Sequence, residues 1–232
     1  MPSPRSGPTA GAGPHRGPYR PVRICVALAA LSAVLMTLVA LAWSPLISFD
    51  ESVAGRLHEW AVRQPAAVQV NRVLTDWFWD PWTMRALAAV AFGVLWWRRE
   101  RTLAVWFAVG ATTGTLLQQV LKAAVDRPRP SWPDPVDSAR LAAFPSGHAM
   151  TATVVCGLLV WVAAVLGTSR RLMRWVTAVA VVSVVGVGLT RLYLGVHWPT
   201  DVLAGWLMGS FWVLLTIVLY ERFADGRRRA EG

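Results

Sequence analysis

Apolar runs of bilayer-spanning length, separated by short polar segments, are the feature that most limits what this chain can fold into. The run 24–43 has about the 20-residue length that a helix needs to cross the hydrocarbon core. Inside a bilayer every backbone N–H and C=O must be hydrogen-bonded within the protein, which a helix achieves by itself. Hydrophobic residues make up 55% of the chain and charged residues 16%, a more apolar balance than that of soluble domains. We therefore expect an all-α membrane protein.

Successive apolar runs predict six transmembrane helices. Their expected ranges are 24–43, 82–97, 102–122, 146–166, 172–189 and 199–220. Residues 45–81 are expected to form a mixed polar loop. Within this loop, residues 49–62 have apolar side chains at helical spacing and are predicted to lie flat at the membrane interface. The predicted fold is a six-helix bundle with an interfacial helix between helices 1 and 2.

Polar, basic segments flank the apolar part of the chain. Residues 1–23 are rich in Pro, Gly, Ser and Arg and predict a disordered tail, followed by one membrane domain over 24–222 and a basic tail over 223–232. A basic start before an apolar run is also typical of a signal peptide. We disfavour that alternative because the run 24–43 can span a bilayer and no small-residue cleavage site follows it.

The cationic residues predict the orientation of the helices. The chain carries 23 Lys and Arg residues and a net charge of +10. These residues concentrate in both tails and in the short turns at 98–101 and 170–174. Because cytoplasmic segments carry the excess of Lys and Arg, we expect both termini on the cytoplasmic side of the plasma (inner) membrane. The loops at 123–145 and 190–199 then lie on the extracytoplasmic side.

The same composition argues against nucleic-acid and metal partners. No basic stripe interleaves with aromatic residues on a soluble face, so a nucleic-acid partner is disfavoured. The two cysteines, Cys25 and Cys156, lie within apolar runs and are expected to be buried. No Cys/His cluster has the spacing of metal ligands, and we expect no metal or other cofactor.

The first of three polar blocks contains Lys122, Arg127 and Arg129. Lys122 is the only lysine in the chain, and a compact ammonium acts as a point charge on phosphate oxygens. Arg129 stands between two prolines, and its planar guanidinium can bind two phosphate oxygens at once. Arg127 can pair with Asp126 or flank the site. The alternative for Lys122 is a lysine that snorkels from a helix end.

The second block, Pro145-Ser146-Gly147-His148, predicts the start of a helix. Ser146 is a suitable N-cap. Free backbone N–H groups at a helix start, with a glycine that allows close approach, form an anion site. His148 would stand at the rim of that site and donate a proton to a leaving oxygen. A capped helix with an incidental histidine is the alternative interpretation.

The third block runs from Thr190 to Asp201 and contains Arg191 and His197. Pro199 suits the first turn of a helix, which lets Asp201 reach back to His197. A carboxylate on one imidazole nitrogen fixes the tautomer and leaves the other nitrogen as a nucleophile or a base. The alternative is a polar helix cap. An ionisable pair beside a membrane helix costs free energy, however, and such pairs usually have a functional role.

The pattern Lys122-x6-Arg129-Pro130, Pro145-Ser146-Gly147-His148 and Thr190-Arg191-x5-His197-x3-Asp201 resembles the three motifs of the type 2 phosphatidic acid phosphatase (PAP2) superfamily. The motifs cover residues 122–201, and the six-helix layout resembles that of membrane members along nearly the whole chain. Thr190 departs from the family, which has a serine at this position. Threonine keeps the hydroxyl group and adds a methyl group.

The resemblance implies a metal-independent phosphatase that forms a phosphohistidine. It assigns the attack on phosphorus to His197, the orientation of that imidazole to Asp201, and protonation of the leaving group to His148. The residues that it assigns to the phosphoryl oxygens are Lys122, Arg129, Ser146, Gly147 and Arg191, with Thr190 and Arg127 as further candidates. From the residues alone, His197 differs from His148 only by its nearby carboxylate. His15 and His58 are expected to be dispensable.

An extracytoplasmic site at the membrane surface favours a lipid substrate whose phosphate lies at headgroup depth. We expect a polyprenyl diphosphate of undecaprenyl type, cleaved to the monophosphate for cell-wall synthesis. Phosphatidic acid and phosphatidylglycerophosphate are the alternatives. A six-helix transporter is disfavoured because the charges cluster at helix ends, and a soluble relative because its helices would be amphipathic. The sequence makes no prediction of the oligomeric state.

Overall fold

The computed structural model describes the backbone of residues 20–231 and the side chains of residues 21–230. Over this range the chain is helical and contains no strand, so the predicted all-α class is confirmed. One π-helical turn, Leu74–Phe78, follows α3. The α-helices are α1 (Arg20–Ala40), α2 (Ser44–Val62), α3 (Pro65–Val73), α4 (Pro81–Trp97), α5 (Arg101–Val125), α6 (Gly147–Val165), α7 (Arg170–Tyr193) and α8 (Pro199–Glu231). Most of the predicted tail 1–23, with His15, lies outside the described residues.

Four helices of the described chain are long and apolar enough to cross a membrane: α1, α6, α7 and α8. They correspond to the first, fourth, fifth and sixth predicted spans. The second and third predicted spans are helices as well, but α4 has 17 residues and α5 carries a polar face with Gln118. α8 continues to Glu231, so the predicted C-terminal tail 223–232 is helical as far as it is described.

The prediction of a mixed polar loop over 45–81 is wrong. These residues form α2, α3 and the π-helical turn, and α2 starts earlier than the predicted helix 49–62. A proline stands in the first turn of both α-helices, where its fixed φ suits a helix and its missing N–H leaves no unpaired donor. α2 buries one face, which includes Asp50 and His58. It therefore contributes polar side chains to the interior of the protein.

α6 is the central helix of the bundle. Of its span 61% is buried within the protein, against 11% for α7. It packs against α4, α5, α7 and α8, while α1 packs against α8. Phe107 of α5 and Leu158 of α6 lie in one core cluster, and Met150 of α6 and Ala204 of α8 lie in another. Neighbouring helices therefore fix the start of α6, which carries the second polar block.

Gly205 sets the distance between α8 and the start of α6. A Cβ atom at this position would lie 2.9 Å from the Cβ of Ala149 and 3.0 Å from the backbone oxygen of Ser146. The backbone of α6 cannot move aside without a cost in packing energy. We therefore expect Gly205→Ala to lower the free energy of unfolding by about 2 kcal/mol. Thermal melting in detergent measures this loss. Gly93→Ala is the matched control, since no atom lies within 4 Å of its added methyl group. Equal melting temperatures for the two variants would contradict the prediction.

Candidate active site

The four helix ends that carry the polar blocks meet at one end of the bundle. Lys122 lies in the last turn of α5 and Ser146 is the N-cap of α6. Arg191 lies in the last turn of α7 and Asp201 in the first turn of α8. The backbone N–H of Ser146 donates to the carbonyl oxygen of Asp201 at 2.9 Å, which joins the starts of α6 and α8. Residues that are far apart in sequence therefore share one site.

His197 lies at the centre of this site and is buried. Its Nδ1 is 3.3 Å from Oδ2 of Asp201, and its Nε2 is 3.0 Å from Nη1 of Arg129. Arginine can only donate hydrogen bonds, so Nε2 is the acceptor and Nδ1 carries the proton that faces the carboxylate. The backbone N–H of Trp198 also donates to Oδ2 of Asp201, at 2.9 Å. These contacts fix the tautomer and leave the Nε2 lone pair on the side of the cations.

The electrostatic surroundings keep the His197 imidazole neutral. Burial, followed by the charges of Arg129, Arg191 and Lys122, lowers the pKa of His197 well below its ordinary value of 6.5. Burial, followed by the charge of Arg191, lowers the pKa of Arg129 to about 10, so its guanidinium remains a cation at neutral pH. An unprotonated imidazole beside fixed cations is suited to attack an anionic phosphorus centre.

Each of the three predicted phosphate-binding cations faces an oxygen of the protein. The Lys122 ammonium donates to the carbonyl oxygen of Ala142, and Nε of Arg129 donates to that of Leu141 at 2.6 Å. Nη1 of Arg191 lies 3.8 Å from a carboxylate oxygen of Asp137 and 3.5 Å from the hydroxyl of Thr75. The loop between α5 and α6 supplies most of these oxygens, so the cations are aimed at acceptors on the loop side of the site.

The start of α6 has the features of an anion site. Ser146 has N-cap geometry, yet its hydroxyl makes no capping hydrogen bond and is buried without a partner. A Cβ atom at Gly147 would meet Nε2 of Gln118 at 2.9 Å and Cε of Lys122 at 3.6 Å, so both side chains lie against this glycine. His148 is partly exposed, and it interacts electrostatically with His197 and the three cations. Free N–H groups, an unpaired hydroxyl and nearby cations suit a bound phosphate.

Arg127 does not pair with Asp126, in contrast to one of the two options predicted for it. Asp126 is exposed at the end of α5, in a left-handed conformation. The Arg127 guanidinium is buried and bonds instead to Asp50 and Asp201, each at 2.7 Å. Sequence reasoning missed Asp50, which lies 77 residues before Arg127. The available signal was a carboxylate on the apolar face of an amphipathic helix, where it needs a buried partner.

Thr190 and His58 make contacts that the sequence does not predict. The Thr190 hydroxyl donates to the carbonyl oxygen of Val187 within α7, at 2.8 Å, so its proton is already used. His58 is buried and stacks on Trp132, with ring centroids 4.3 Å apart. The indole N–H of Trp132 donates to the carbonyl oxygen of Gly195 at 2.8 Å, two residues before His197. His58 thus supports the turn that leads into His197, a packing role that the sequence did not predict.

An apolar cavity of about 420 Å³ lies between α4, α5 and α6. Gln118 and Thr151 line it and hydrogen-bond to each other at 3.0 Å. Because Gln118 also contacts Gly147, one end of the cavity meets the anion site. Among the residues that the structure describes, no group of three or more His, Cys, Asp or Glu side chains is placed to hold a metal ion.

Comparison with known proteins identifies the family of this chain. The family model described as PAP2 superfamily matches residues 103–225. The chain belongs to the PAP2 superfamily. It is accordingly a phosphatase and a membrane protein, as its motifs and apolar helices predicted. The matched region contains all of the predicted site residues.

Individual relatives agree with this membership. The chain is 28% identical to phosphatidylglycerophosphatase B of Bacillus subtilis (strain 168) over 91% of its own length and 98% of the relative. It is 30% identical to undecaprenyl-diphosphatase of Sulfolobus acidocaldarius over 52% of its length and 56% of that relative. The crystal structure of a transmembrane PAP2-type phosphatidylglycerolphosphate phosphatase from Bacillus subtilis is similar, with a TM-score of 0.72 and 27% identity. The similarity covers 88% of this chain and 97% of that one.

Proposed function

We propose that this protein removes a phosphoryl group from a membrane lipid through a phosphohistidine on His197. The observation that carries the proposal is the setting of the His197 imidazole. Its Nδ1 faces Asp201 and its Nε2 faces Arg129, while burial and three cations lower its pKa. A neutral, oriented imidazole whose unprotonated Nε2 faces the cations is the nucleophile that this reaction requires.

The reaction proceeds in two steps. Nε2 of His197 forms a bond to phosphorus as the bond to the leaving oxygen breaks, and His148 gives that oxygen a proton. His148 then takes a proton from a water molecule, whose oxygen attacks phosphorus and breaks the P–N bond. Inorganic phosphate leaves, and both imidazoles return to their starting states. Throughout, Asp201 accepts the Nδ1 proton of His197 in a hydrogen bond.

Cations and helix-start N–H groups offset the charge that develops on the phosphoryl oxygens. Lys122, Arg129 and Arg191 surround His197 closely enough to lower its pKa. The unpaired hydroxyl of Ser146 and the backbone N–H groups at Gly147 add hydrogen-bond donors. Donors fixed in place before the reaction cost no reorganisation, so they favour the transition state. No step in this mechanism requires a metal ion.

We further propose that six helices cross the membrane, with α4 and α5 as the second and third spans. Both termini are then cytoplasmic, and the polar site faces the extracytoplasmic side. The excess of arginine in the tails and in the turns at 98–101 and 170–174 supports this orientation. The exposed Trp60, Trp77 and Trp82 support a position of α2, α3 and the start of α4 near the interface. A periplasmic-only reporter fused after Gly232 is expected to be inactive.

The substrate that we propose is a polyprenyl diphosphate, with phosphatidylglycerophosphate as the second candidate. The apolar cavity between α4, α5 and α6 adjoins the anion site and suits a hydrocarbon chain. The similarity to an undecaprenyl-diphosphatase supports the first candidate. The similarity to a phosphatidylglycerophosphatase covers more of the chain and supports the second.

Phosphate release from detergent-solubilised protein tests the function. Undecaprenyl diphosphate, phosphatidylglycerophosphate and phosphatidic acid are compared as substrates in excess EDTA, with the His197→Ala variant as control. We expect release from undecaprenyl diphosphate at the highest kcat/KM, unaffected by EDTA and absent from the control. A higher kcat/KM for phosphatidylglycerophosphate selects the second candidate. Release from none of the three lipids by the folded protein would contradict the proposed activity.

The lowered pKa of His197 predicts the pH dependence of the reaction. The neutral His197 imidazole is the proposed nucleophile, so on the acid side activity falls as the pH drops through the lowered pKa of His197. We expect the acid limb of kcat/KM below pH 6.5, the ordinary value for histidine. Arg129→Gln removes a cation that lowers this pKa and should move the limb to higher pH. Both proteins are assayed with the same substrate, so ionisation of the substrate affects both pH profiles equally. A limb that does not move in the variant would contradict the assignment.

A further inference from the structure

Arg127 joins the predicted active site to α2 through buried ionic hydrogen bonds. Its Nη1 lies 2.7 Å from Oδ1 of Asp201 and 2.7 Å from the hydroxyl of Thr200. Its Nη2 lies 2.7 Å from Oδ2 of Asp50. Arg127 is 8% exposed, and both carboxylates are fully buried. Charged hydrogen bonds of this length in a dry interior are strong, and their geometry is restrictive.

The two oxygens of Asp201 have separate partners. Oδ2 faces Nδ1 of His197 and accepts the backbone N–H of Trp198, whereas Oδ1 accepts from Arg127. A carboxylate held at both oxygens cannot rotate about its terminal torsion. Arg127 thereby fixes the plane of Asp201 and, through it, the direction in which the His197 imidazole points. A misplacement of reacting atoms by about 1 Å can cost about a hundredfold in rate.

Asp50 holds Arg127 and the start of α8 at the same time. It accepts the backbone N–H of Thr200 at 3.0 Å and the Thr200 hydroxyl. Thr200 is the residue directly before Asp201, so Asp50 anchors the turn that carries the active-site carboxylate. Asp50 belongs to α2 and lies outside the residues 103–225 that match the family model.

We propose that Arg127 and Asp50 are positioning residues for phosphoryl transfer, with Arg127 orienting Asp201 and Asp50 anchoring Arg127. This inference rests on the proposed role of His197 as the nucleophile. Both terminal nitrogens of Arg127 are occupied by Asp50, Thr200 and Asp201. The guanidinium therefore acts on His197 through Asp201, and it does not bind the phosphate as the sequence allowed.

The proposal predicts a loss in kcat without a matching rise in KM. A residue that binds phosphate in both the ground state and the transition state raises KM when it is removed. A residue that orients the nucleophile lowers the rate of the chemical step and leaves substrate affinity nearly unchanged. For Arg127→Gln we expect kcat to fall by about a hundredfold, with KM within about twofold of wild type. For Asp50→Asn, which leaves Arg127 in contact with Asp201, we expect kcat to fall by about tenfold.

The experiment measures kcat and KM for phosphate release, together with the rate of phosphoenzyme formation after rapid mixing and quenching in alkaline SDS. Arg140→Gln, an exposed arginine in the same loop, is the control for Arg127. Glu51→Gln, the exposed residue beside Asp50, is the control for Asp50. Both controls should match wild type. Phosphoenzyme formation should slow in proportion to kcat in the Arg127 and Asp50 variants.

Arg127→Lys keeps the charge but cannot make three separate hydrogen bonds with the geometry of a guanidinium. We expect its kcat to lie between that of Arg127→Gln and that of wild type. If Arg127→Gln lacks a melting transition in detergent, the proposal is tested with Arg127→Lys instead. A kcat of Arg127→Lys within about twofold of wild type then overturns the proposal. A folded Arg127→Gln protein with unchanged kcat also overturns it, as does a raised KM with unchanged kcat.

The proposed function is tested with the wild-type protein alone. If the wild type releases no phosphate, or if no label is found on His197, the phosphohistidine mechanism fails and the inference falls with it. If the wild type is active and labelled on His197, the ratios of variant to wild-type kcat decide on Arg127 and Asp50 separately.

Discussion

Replacing His197 with alanine is expected to lower the rate of phosphate release by about 10⁴-fold or more, because the variant lacks the proposed nucleophile. The alanine side chain also cannot donate the hydrogen bond that Nδ1 of His197 makes to Asp201. Incubation with ³²P-labelled lipid diphosphate, followed by quenching in alkaline SDS and electrophoresis at alkaline pH, should label the wild-type protein and leave the variant unlabelled. The bond should be labile to acid and stable to base, as a phosphoramidate is.

A control for the His197 variant separates loss of the nucleophile from loss of the fold. His197 is buried, so its removal also leaves a polar cavity. His197→Gln keeps a hydrogen-bonding side chain of similar reach and should melt close to wild type while remaining inactive. A His197→Ala or His197→Gln protein that retains full turnover would remove the basis of the proposed mechanism.

Replacing His148 with alanine is expected to give an effect that depends on the leaving group. In the proposed mechanism His148 supplies the proton to the leaving oxygen, and general acid catalysis of this kind contributes about 10²–10⁴-fold. With a lipid monophosphate, whose leaving alkoxide is strongly basic, phosphoenzyme formation should fall by that factor. With p-nitrophenyl phosphate, whose leaving group needs no proton, labelling of His197 should persist. Hydrolysis of the phosphoenzyme should still be slow, because its attacking water loses its base.

The comparison of two substrates makes this test specific for proton donation. An equal loss of labelling with both substrates would assign His148 to phosphate binding or to the fold. Ala149→Gly, a change at the buried neighbour in the same turn of α6, serves as a control for disturbance of the helix start. It should affect both substrates to the same extent.

The helices were largely predictable because an apolar run of sufficient length has few alternatives in a membrane. The segment 45–81 was not, since its helices combine charged residues with small buried ones, and that mixture resembles a loop. The charged side chains of α2 that appeared typical of an interfacial surface include Asp50, which lies fully inside the protein. Hydropathy along a chain does not show which polar residue has a buried partner elsewhere.

Part of the candidate site was likewise predictable from the sequence, and part was not. The sequence predicts the motif residues because the motifs are local in sequence and each residue type suits phosphate chemistry. The structure places the predicted residues near one another: Lys122, Arg129, His148, His197 and Asp201. The contacts of Arg127 with Asp50, and of Arg191 with Asp137 and Thr75, depend on how distant segments pack. Spacing alone placed Arg127 beside Asp126, because adjacent residues are the only pairs that a sequence displays directly. The hydroxyl of Thr190 was likewise assigned by analogy, and the helix itself provides its acceptor.

Two of the buried arginines take partners from before residue 103, Arg127 from α2 and Arg191 from the π-helical turn. The segment that defines the family is consequently not a self-sufficient unit in this protein. A fragment limited to 103–225 would remove one partner from each of two buried guanidinium groups, Asp50 from Arg127 and Thr75 from Arg191. A chimera that exchanges only this segment between relatives would need compatible acceptors in the N-terminal helices of its host. Divergence of the first hundred residues is thereby constrained at a few interior positions, however freely their lipid-facing side chains vary.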